Sequence, residues 1–463
     1  MRTPEEKEQR RLLSETKELA RLEKEKARPK QKLYFWYLIV CLCLIYIVDE
    51  VATSLPNTLL NSINQFYFNG TKDGKALLGL MEMLANICLV IGFFYKTLAD
   101  RFGRKPFLVI NTIGMVGALL LCFAGRYTGF WMYAIGFFAL RFFVTPDEQI
   151  VYIFETAPEK SRGKIYSAIK GIAELGLLLI PLGRNYLMKN VSSEWHMVFL
   201  IPVCIGLVVS VLVLFLARET DPFLDSRIAY LKLTPEEKEK IAHDKKEESK
   251  KQGGFFAAVK YAMKGKQLRW IFICTLLFTL ARCTTGYYTY IFEGAAYTEE
   301  QISAAELIFP ITCSAVVFAY GFLSDKVGRK ITSITLLALT VVGLGLLSLG
   351  AYLKWNEYLL GAFLGIFLGA AWSNGDTLIL MTGESSPTNM RASIMSAQTM
   401  FYGLGMVASM GIGAIALRFI NAEWIGLFCV CLCIPCYIAS IFFLMTKVKE
   451  TKGASVDAAV TQD

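Results

Sequence analysis

Charged side chains recur inside the long apolar runs of this sequence. The candidates for a polar pathway are Asp49, Glu50, Arg141, Lys170, Glu174, Arg282 and Asp376. A charge near the centre of a bilayer costs at least ~2.5–3.5 kcal/mol on insertion scales, so such a residue faces a cavity and usually has a partner. A buried carboxylate takes up a proton when it is desolvated and releases it when a cation approaches. These residue types therefore predict a polar pathway that binds protons.

Spacing places several of these residues on shared helix faces. Asp49, Thr53 and Asn57 recur every four residues, which aligns them in one polar stripe. Lys170 and Glu174 are also four residues apart, and we expect them to pair within their helix.

The elements that carry these residues are predicted to be membrane-spanning helices. Hydrophobic residues make up 54% of the 463 positions, and the mean hydropathy is +0.45. A run of about 20 apolar residues crosses a bilayer as a helix, because a helix satisfies its own backbone hydrogen bonds. Twelve such runs lie near 34–60, 76–98, 107–125, 130–153, 165–188, 196–217, 269–293, 304–323, 331–353, 357–381, 393–418 and 423–446. The sequence predicts an all-α membrane protein with twelve transmembrane helices.

Three charged motifs occur twice, in the same order and at nearly one offset. The segment 100–105 recurs at 325–330, the segment 155–162 recurs at 384–391, and Glu219-Thr220 recurs as Glu450-Thr451. Each copy follows a long apolar run, so the duplicated unit is a bundle of six helices. Internal repeats around a midplane site are the ground plan of secondary transporters. We therefore expect two pseudo-symmetric six-helix bundles.

The distribution of positive charge predicts the topology. The formal net charge is +9, and the basic residues cluster in the N-terminal tail, in 100–105, 160–164, 218–269 and 326–330. Lys and Arg in short loops mark the cytoplasm, so both termini are expected inside a multi-pass protein of the plasma membrane. Topology accounts for the charge, and we exclude nucleic-acid binding. The expected organisation is a charged cytoplasmic tail at 1–33, a bundle at 34–217, a cytoplasmic linker with charged helices at 218–268, a bundle at 269–446 and a cytoplasmic tail at 447–463.

The segment Gly321–Lys330 matches the loop signature of the major facilitator superfamily. The first-half copy departs from it, because Lys96 stands where the family has Gly. The motif Glu-x-x-Pro-x-x-x-Arg after helices 4 and 10, together with Glu219-Thr220 and Glu450-Thr451, resembles the sugar-porter and general-substrate branch, which also contains organic-ion carriers. The resemblance covers about residues 34–453.

This resemblance implies a cytoplasmic lattice of ion pairs that holds the outward-open state and breaks as the two halves rock. Its expected members are Asp100, Arg101, Arg104, Glu155, Arg162, Glu219, Asp325, Lys326, Arg329, Glu384, Arg391 and Glu450. The resemblance also implies that helices 1, 4, 7 and 10 line the path of a small-molecule substrate.

Transport is expected to be coupled to protons, as symport by alternating access. Our hypothesis is that Asp49 or Glu50 carries the proton and that Arg141 or Arg282 approaches it, competing with the substrate. Replacing Asp49 with Asn or Glu50 with Gln is then predicted to abolish pH-driven uptake while sparing counterflow.

The substrate is predicted to be charged. Sugar porters usually carry Gln on helices 5 and 7, followed on helix 7 by Asn, and this chain has Glu174, Cys283 and Tyr288 there. Arginine forks suit carboxylates, so an organic anion is the first expectation. The alternatives are a sugar, an organic cation held by acids and caged by Tyr287, Tyr288 and Trp372, or drug efflux in exchange for protons.

Other classes of protein fit less well. Nearly all twelve cysteines fall inside apolar runs, and only two histidines are present, so neither a metal site nor a cofactor is expected. The absence of a phosphate-binding glycine loop argues against an enzyme. A non-transporting nutrient sensor is a weaker alternative. The resemblance to the superfamily implies that the protein functions as a monomer within the lipid bilayer.

Overall fold

The computed structural model describes residues 4–28, 33–88, 91, 95, 102–144, 152–153, 155–157, 162–188, 194–240, 254–387 and 390–452. Every regular element in these segments is helical. The principal helices are α1 Pro4–Ala27, α2 Tyr34–Thr58, α3 Leu60–Phe68, α4 Lys72–Ala85, α5 Arg104–Thr128, α6 Phe130–Val144, α7 Arg162–Gly176, α8 Leu179–Leu187, α9 Leu200–Leu216, α10 Asp221–Lys232, α11 Gly254–Lys264, α12 Lys266–Leu280, α13 Cys283–Gly294, α14 Glu299–Val327, α15 Arg329–Tyr352, α16 Glu357–Ser385, α17 Arg391–Phe419 and α18 Ile425–Lys447.

Ten helical segments in this part of the chain are long and apolar enough to cross a membrane. The other two predicted spans, near 76–98 and 130–153, run into residues that lie outside the described segments. Their described parts are α4 and the apolar helix α6. The all-α membrane fold predicted from the apolar runs is confirmed.

The helices form two bundles that meet along two seams. Helix α4 of the first bundle packs on α17 of the second, and α7 packs on α14. These pairs are equivalents under the sequence repeat, so the seams are related by the same pseudo-symmetry. Small residues allow the close approach, as where Gly171 on α7 meets the ring of Phe318 on α14.

The bundles have two distinct ends. We call the end that carries α1 and α10 the terminal side. The hydroxyl of Tyr34, at the start of α2, accepts a hydrogen bond from the Arg218 backbone N–H at 2.8 Å, so α2 starts where α9 ends. We call the opposite end, with the loops 69–71, 295–298 and 420–424, the distal side.

The N-terminal helix docks on the linker helix α10. Leu22 of α1 packs in an apolar cluster with Phe223, Leu224, Ile228 and Leu231. Around this cluster, Arg227 donates to both carboxylate oxygens of Glu18 at 2.8 and 3.1 Å. The sequence predicts a charged tail at 1–33, and charge patterning alone does not reveal that this tail packs on the linker.

Candidate transport site

A polar cavity of about 330 Å3 lies between the two bundles. Its lining includes nine of the ten pathway residues predicted from the sequence: Asp49, Glu50, Arg141, Lys170, Glu174, Arg282, Tyr288, Trp372 and Asp376. Tyr287 does not line it. This side chain is buried towards the distal side, where its hydroxyl donates to the carbonyl oxygens of Gly79 and Met410 at 3.4 and 3.2 Å.

The stripe on α2 faces the cavity, as its spacing predicts. Asp49, Thr53 and Asn57 all line it, and Asp49 is only 5% exposed. The guanidinium of Arg141 on α6 donates to the Glu82 carboxylate on α4 at 2.6 Å. Glu82 was missed in the sequence, although it lies inside the predicted run 76–98 and the same insertion-cost argument applies to it.

Arg282 lies at a break in its helix. Helix α12 ends at Leu280 and α13 begins at Cys283, so Arg282 occupies the N-cap of α13. The Cys283 backbone N–H, in the first turn of α13, donates to the Ser409 hydroxyl at 2.7 Å. The guanidinium of Arg282 donates to the Tyr402 hydroxyl on α17. Broken helices of this kind frame the central sites of many transporters.

Lys170 joins the two bundles across the cavity. Its ammonium lies 2.6 Å from the Asp376 carboxylate on α16. The i,i+4 spacing predicted Glu174 as its partner, and that expectation is wrong for this conformation. Glu174 instead turns towards α14, where the Cys313 thiol donates to it at 3.8 Å.

The distal side is closed by ion pairs between the bundles. Arg184 on α8 lies 2.6 Å from Glu306 and 2.5 Å from Glu299, both on α14. Lys75 on α4 lies 2.6 Å from Glu293 on α13. None of these five residues was predicted from the sequence. Arg184 and Glu306 lie within predicted spans, so their charge was a usable signal there.

The terminal side carries one hydrogen-bonding network twice, once in each bundle. Arg104 Nε donates to Glu155 at 3.1 Å, and Arg329 Nε donates to Glu384 at the same distance. The Arg104 backbone N–H donates to Glu219 at 2.9 Å, and that of Arg329 donates to Glu450 at 2.7 Å. The sequence repeat therefore specifies a repeated structure, in which Glu219 and Glu450 accept hydrogen bonds from the N-termini of α5 and α15.

Two glycines make this network possible. Gly103 and Gly328 precede the helices with φ of 109° and 99°, a region that favours glycine. A Cβ atom at either position would lie 2.3–2.4 Å from a carboxylate oxygen, of Glu219 or Glu450 respectively. Burial raises the pKa of Glu219, while the N–H groups of Thr220, Arg104 and Lys105 oppose that rise.

The ion pairs seen among the described gate residues lie within bundles, where the resemblance implied pairs between bundles. Arg104 with Glu155 belongs to the first bundle, and Arg329 with Asp325 and Glu384 belongs to the second. The backbone carbonyl of Lys326 accepts from Lys452, and Arg391 begins α17. Asp100 and Arg101 lie outside the described residues, as does the side chain of Arg162. Their role as a gate stays a prediction.

A family comparison decides the classification. The family of sugar (and other) transporters matches residues 37–461. The chain belongs to this family. It is therefore a multi-pass membrane transporter of the major facilitator superfamily, and not an enzyme.

Relatives of this sugar-transporter family member match it over different lengths. The galactose-proton symporter of Escherichia coli K12 is 25% identical over 345 residues, which cover 70% of this chain and 72% of the relative. The multidrug resistance protein MdtL of Salmonella dublin is 28% identical over 138 residues, covering 28% of this chain and 32% of the relative. The inward-open xylose transporter XylE of E. coli has the same fold, with a TM-score of 0.69, 17% identity and coverage of 92% and 99%.

Proposed function

We propose that this transporter is a proton-coupled sugar symporter. The observation that carries the proposal is the charge balance of the cavity. Among its described lining residues, five carboxylates face three cations. The acids are Asp49, Glu50, Glu82, Glu174 and Asp376, and the bases are Arg141, Lys170 and Arg282. An excess of acids provides proton sites and repels an anionic substrate.

The cations of the cavity already have partners. Arg141 pairs with Glu82, Lys170 pairs with Asp376, and Arg282 donates to the Tyr402 hydroxyl. An organic anion would have to displace a carboxylate from Arg141 or Lys170, or the Tyr402 hydroxyl from Arg282. A neutral sugar needs only hydrogen bonds and an apolar surface. The preference for an organic anion that the sequence suggested therefore has no support from this geometry, nor from the relatives.

The lining offers the groups that a sugar needs. Asn57, Asn86 and Thr285 present hydrogen-bonding side chains to the cavity, and Trp372 presents an aromatic face. A small number of well-placed polar groups fixes the orientation of a small molecule in its site. One relative is a galactose-proton symporter and one structural neighbour is a xylose transporter, so hexoses and pentoses are the first substrates to test.

An organic cation is the second candidate. The same excess of carboxylates attracts a cation, and the rings of Tyr288 and Trp372 line the cavity beside them. The partial match to a multidrug resistance protein points in the same direction.

The test is uptake into proteoliposomes that contain the purified protein, with an imposed inward proton gradient. Labelled galactose, xylose, a lipophilic cation and a dicarboxylate are compared. Accumulation of a sugar, lost when a protonophore is added, is the expected result. Accumulation of the cation or the dicarboxylate, with both sugars inert, would overturn the assignment.

A matched pair of tryptophan variants ties the result to the cavity. Trp372→Ala removes an aromatic wall and should weaken sugar affinity roughly tenfold, the factor that ~1.4 kcal/mol of lost contact produces. Trp36→Ala removes an exposed ring at the start of α2 and should leave affinity unchanged.

A further inference from the structure

Glu174 is a fully buried acid with little to stabilise its charge. The side chain has no exposed surface, although Glu174 is among the residues that line the cavity. One carboxylate oxygen accepts a weak hydrogen bond from the Cys313 thiol at 3.8 Å, and the other has no hydrogen-bond partner. An ionised carboxylate in such a place is costly unless a cation or several donors compensate it. The site suits a carboxylic acid that carries a proton.

The cation one helical turn from Glu174 is paired with another acid. Lys170 lies one turn earlier on α7, and its ammonium contacts the Asp376 carboxylate of the second bundle at 2.6 Å. The helices packed around this position contribute the other titratable groups, which are Glu50 from α2, Cys313 from α14 and Asp376 from α16. Lys170 therefore lies among three acids, Glu50, Glu174 and Asp376.

The position of Glu174 couples its charge to the contact between bundles. It lies on the seam of α7 and α14, where the Ser314 hydroxyl donates to the Gly171 carbonyl at 2.7 Å. Lys170 and Glu174 are spaced i,i+4, so the ammonium can turn from Asp376 to Glu174 by rotating its own side chain. That rotation would remove the bridge to α16.

We propose that Glu174 is the proton-binding carboxyl of this transporter, and that its charge decides which acid Lys170 holds. A proton from water converts the Glu174 carboxylate into a carboxylic acid, and Lys170 then stays on Asp376 and bridges the bundles. Loss of that proton to water restores the carboxylate, which draws the ammonium to its own helix and frees Asp376. This inference deepens the proposed symport and relocates the proton from Asp49 or Glu50 to α7.

Glu174→Gln mimics the protonated acid at nearly the same size. In proteoliposomes this variant should retain sugar exchange in counterflow and lose accumulation driven by a proton gradient. Its sugar affinity should no longer change with pH. Glu174→Asp keeps a titratable group and should retain part of the accumulation. Glu423→Gln makes the same chemical change at an exposed position of the distal side and should behave as the wild type.

Infrared difference spectra of the purified protein, cycled between acid and alkaline pH, report the proton directly and need no substrate. A carboxylic acid band that disappears in Glu174→Gln and persists in Asp49→Asn, Glu50→Gln and Glu423→Gln is the expected result. A band that persists in Glu174→Gln, or gradient-driven accumulation by that variant, would overturn the inference. Failure of the wild type to accumulate either sugar, with the Glu174 band present, would instead overturn the proposed function alone.

Discussion

The guanidinium of Arg184 lies 2.6 Å from the carboxylate of Glu306, and both side chains are almost fully buried between the bundles. Removing two charges from water is costly, and a buried pair repays this only while both partners are present. A contact of this kind must break if the distal side opens. It therefore marks the distal closure as a gate that the two bundles form together.

Arg184→Ala is expected to destabilise the closed distal side strongly, because it leaves Glu306 buried without its cation. Removing one partner of a buried pair typically costs ~3–5 kcal/mol. The measurement is the melting temperature in detergent, together with thiol labelling of a cysteine placed in the α3–α4 loop. Arg418→Ala provides the control.

Arg418 also pairs across the bundles, with Asp73 at 3.2 Å, but both side chains are more than half exposed. Exposed pairs contribute about 0–1 kcal/mol. The prediction fails if the two variants lower the melting temperature equally. A double variant, Arg184→Met with Glu306→Leu, should recover much of the loss, because no buried charge is then left alone.

Gly328→Ala is expected to disrupt the network of the second bundle. The residue would be strained at a φ of 99°, at a cost of ~1–3 kcal/mol, and its Cβ would also lie 2.4 Å from a Glu450 oxygen. The same reasoning applies to Gly103 and Glu219. Unfolding in denaturant, followed by tryptophan fluorescence, measures the change.

Gly129→Ala separates the effect of backbone strain from that of steric overlap with a carboxylate. Gly129 has nearly the same φ, 107°, but nothing lies within 4 Å of where its Cβ would be. We expect Gly129→Ala to lower the free energy of unfolding only by the cost of backbone strain. Equal effects at 129 and 328 would show that the carboxylate contacts add nothing to stability.

The positions of most charged residues in the site could be predicted from the sequence, whereas their ion-pair partners in other helices could not. The repeat placed Glu219 and Glu450 in equivalent motifs. The structure gives them equivalent hydrogen bonds, to helix N-termini that lie far away in the sequence, because the two repeats fold in the same way. Lys170 shows the limit. Its i,i+4 neighbour on the helix was predictable, whereas the acid presented by α16 depends on how the bundles meet. Glu82 could have been predicted as a cavity residue by the same insertion-cost argument, but it was not.

The buried acid Glu219 should make stability depend on pH. Burial raises its pKa in the folded state above the unfolded value, so the protonated form favours the folded state. The contribution is fully present below the unfolded pKa and is lost as pH rises through the folded pKa. Glu219→Gln should reduce the change in melting temperature between mildly acidic and neutral pH. A profile unchanged from the wild type would assign the pH dependence to other groups.

Leu22→Asp is expected to release the N-terminal helix from the linker. Leu22 is 8% exposed in the cluster on α10, and burying an unpaired carboxylate there is unfavourable. The free energy of docking should fall by about 2 kcal/mol, the lower end of the range for truncating buried leucines. Limited proteolysis and amide exchange of residues 4–27 measure it, with Leu12→Asp, at a position 52% exposed, as the control. If α1 stays protected in Leu22→Asp, its docking depends on ion pairs such as Arg227 with Glu18 rather than on the apolar cluster.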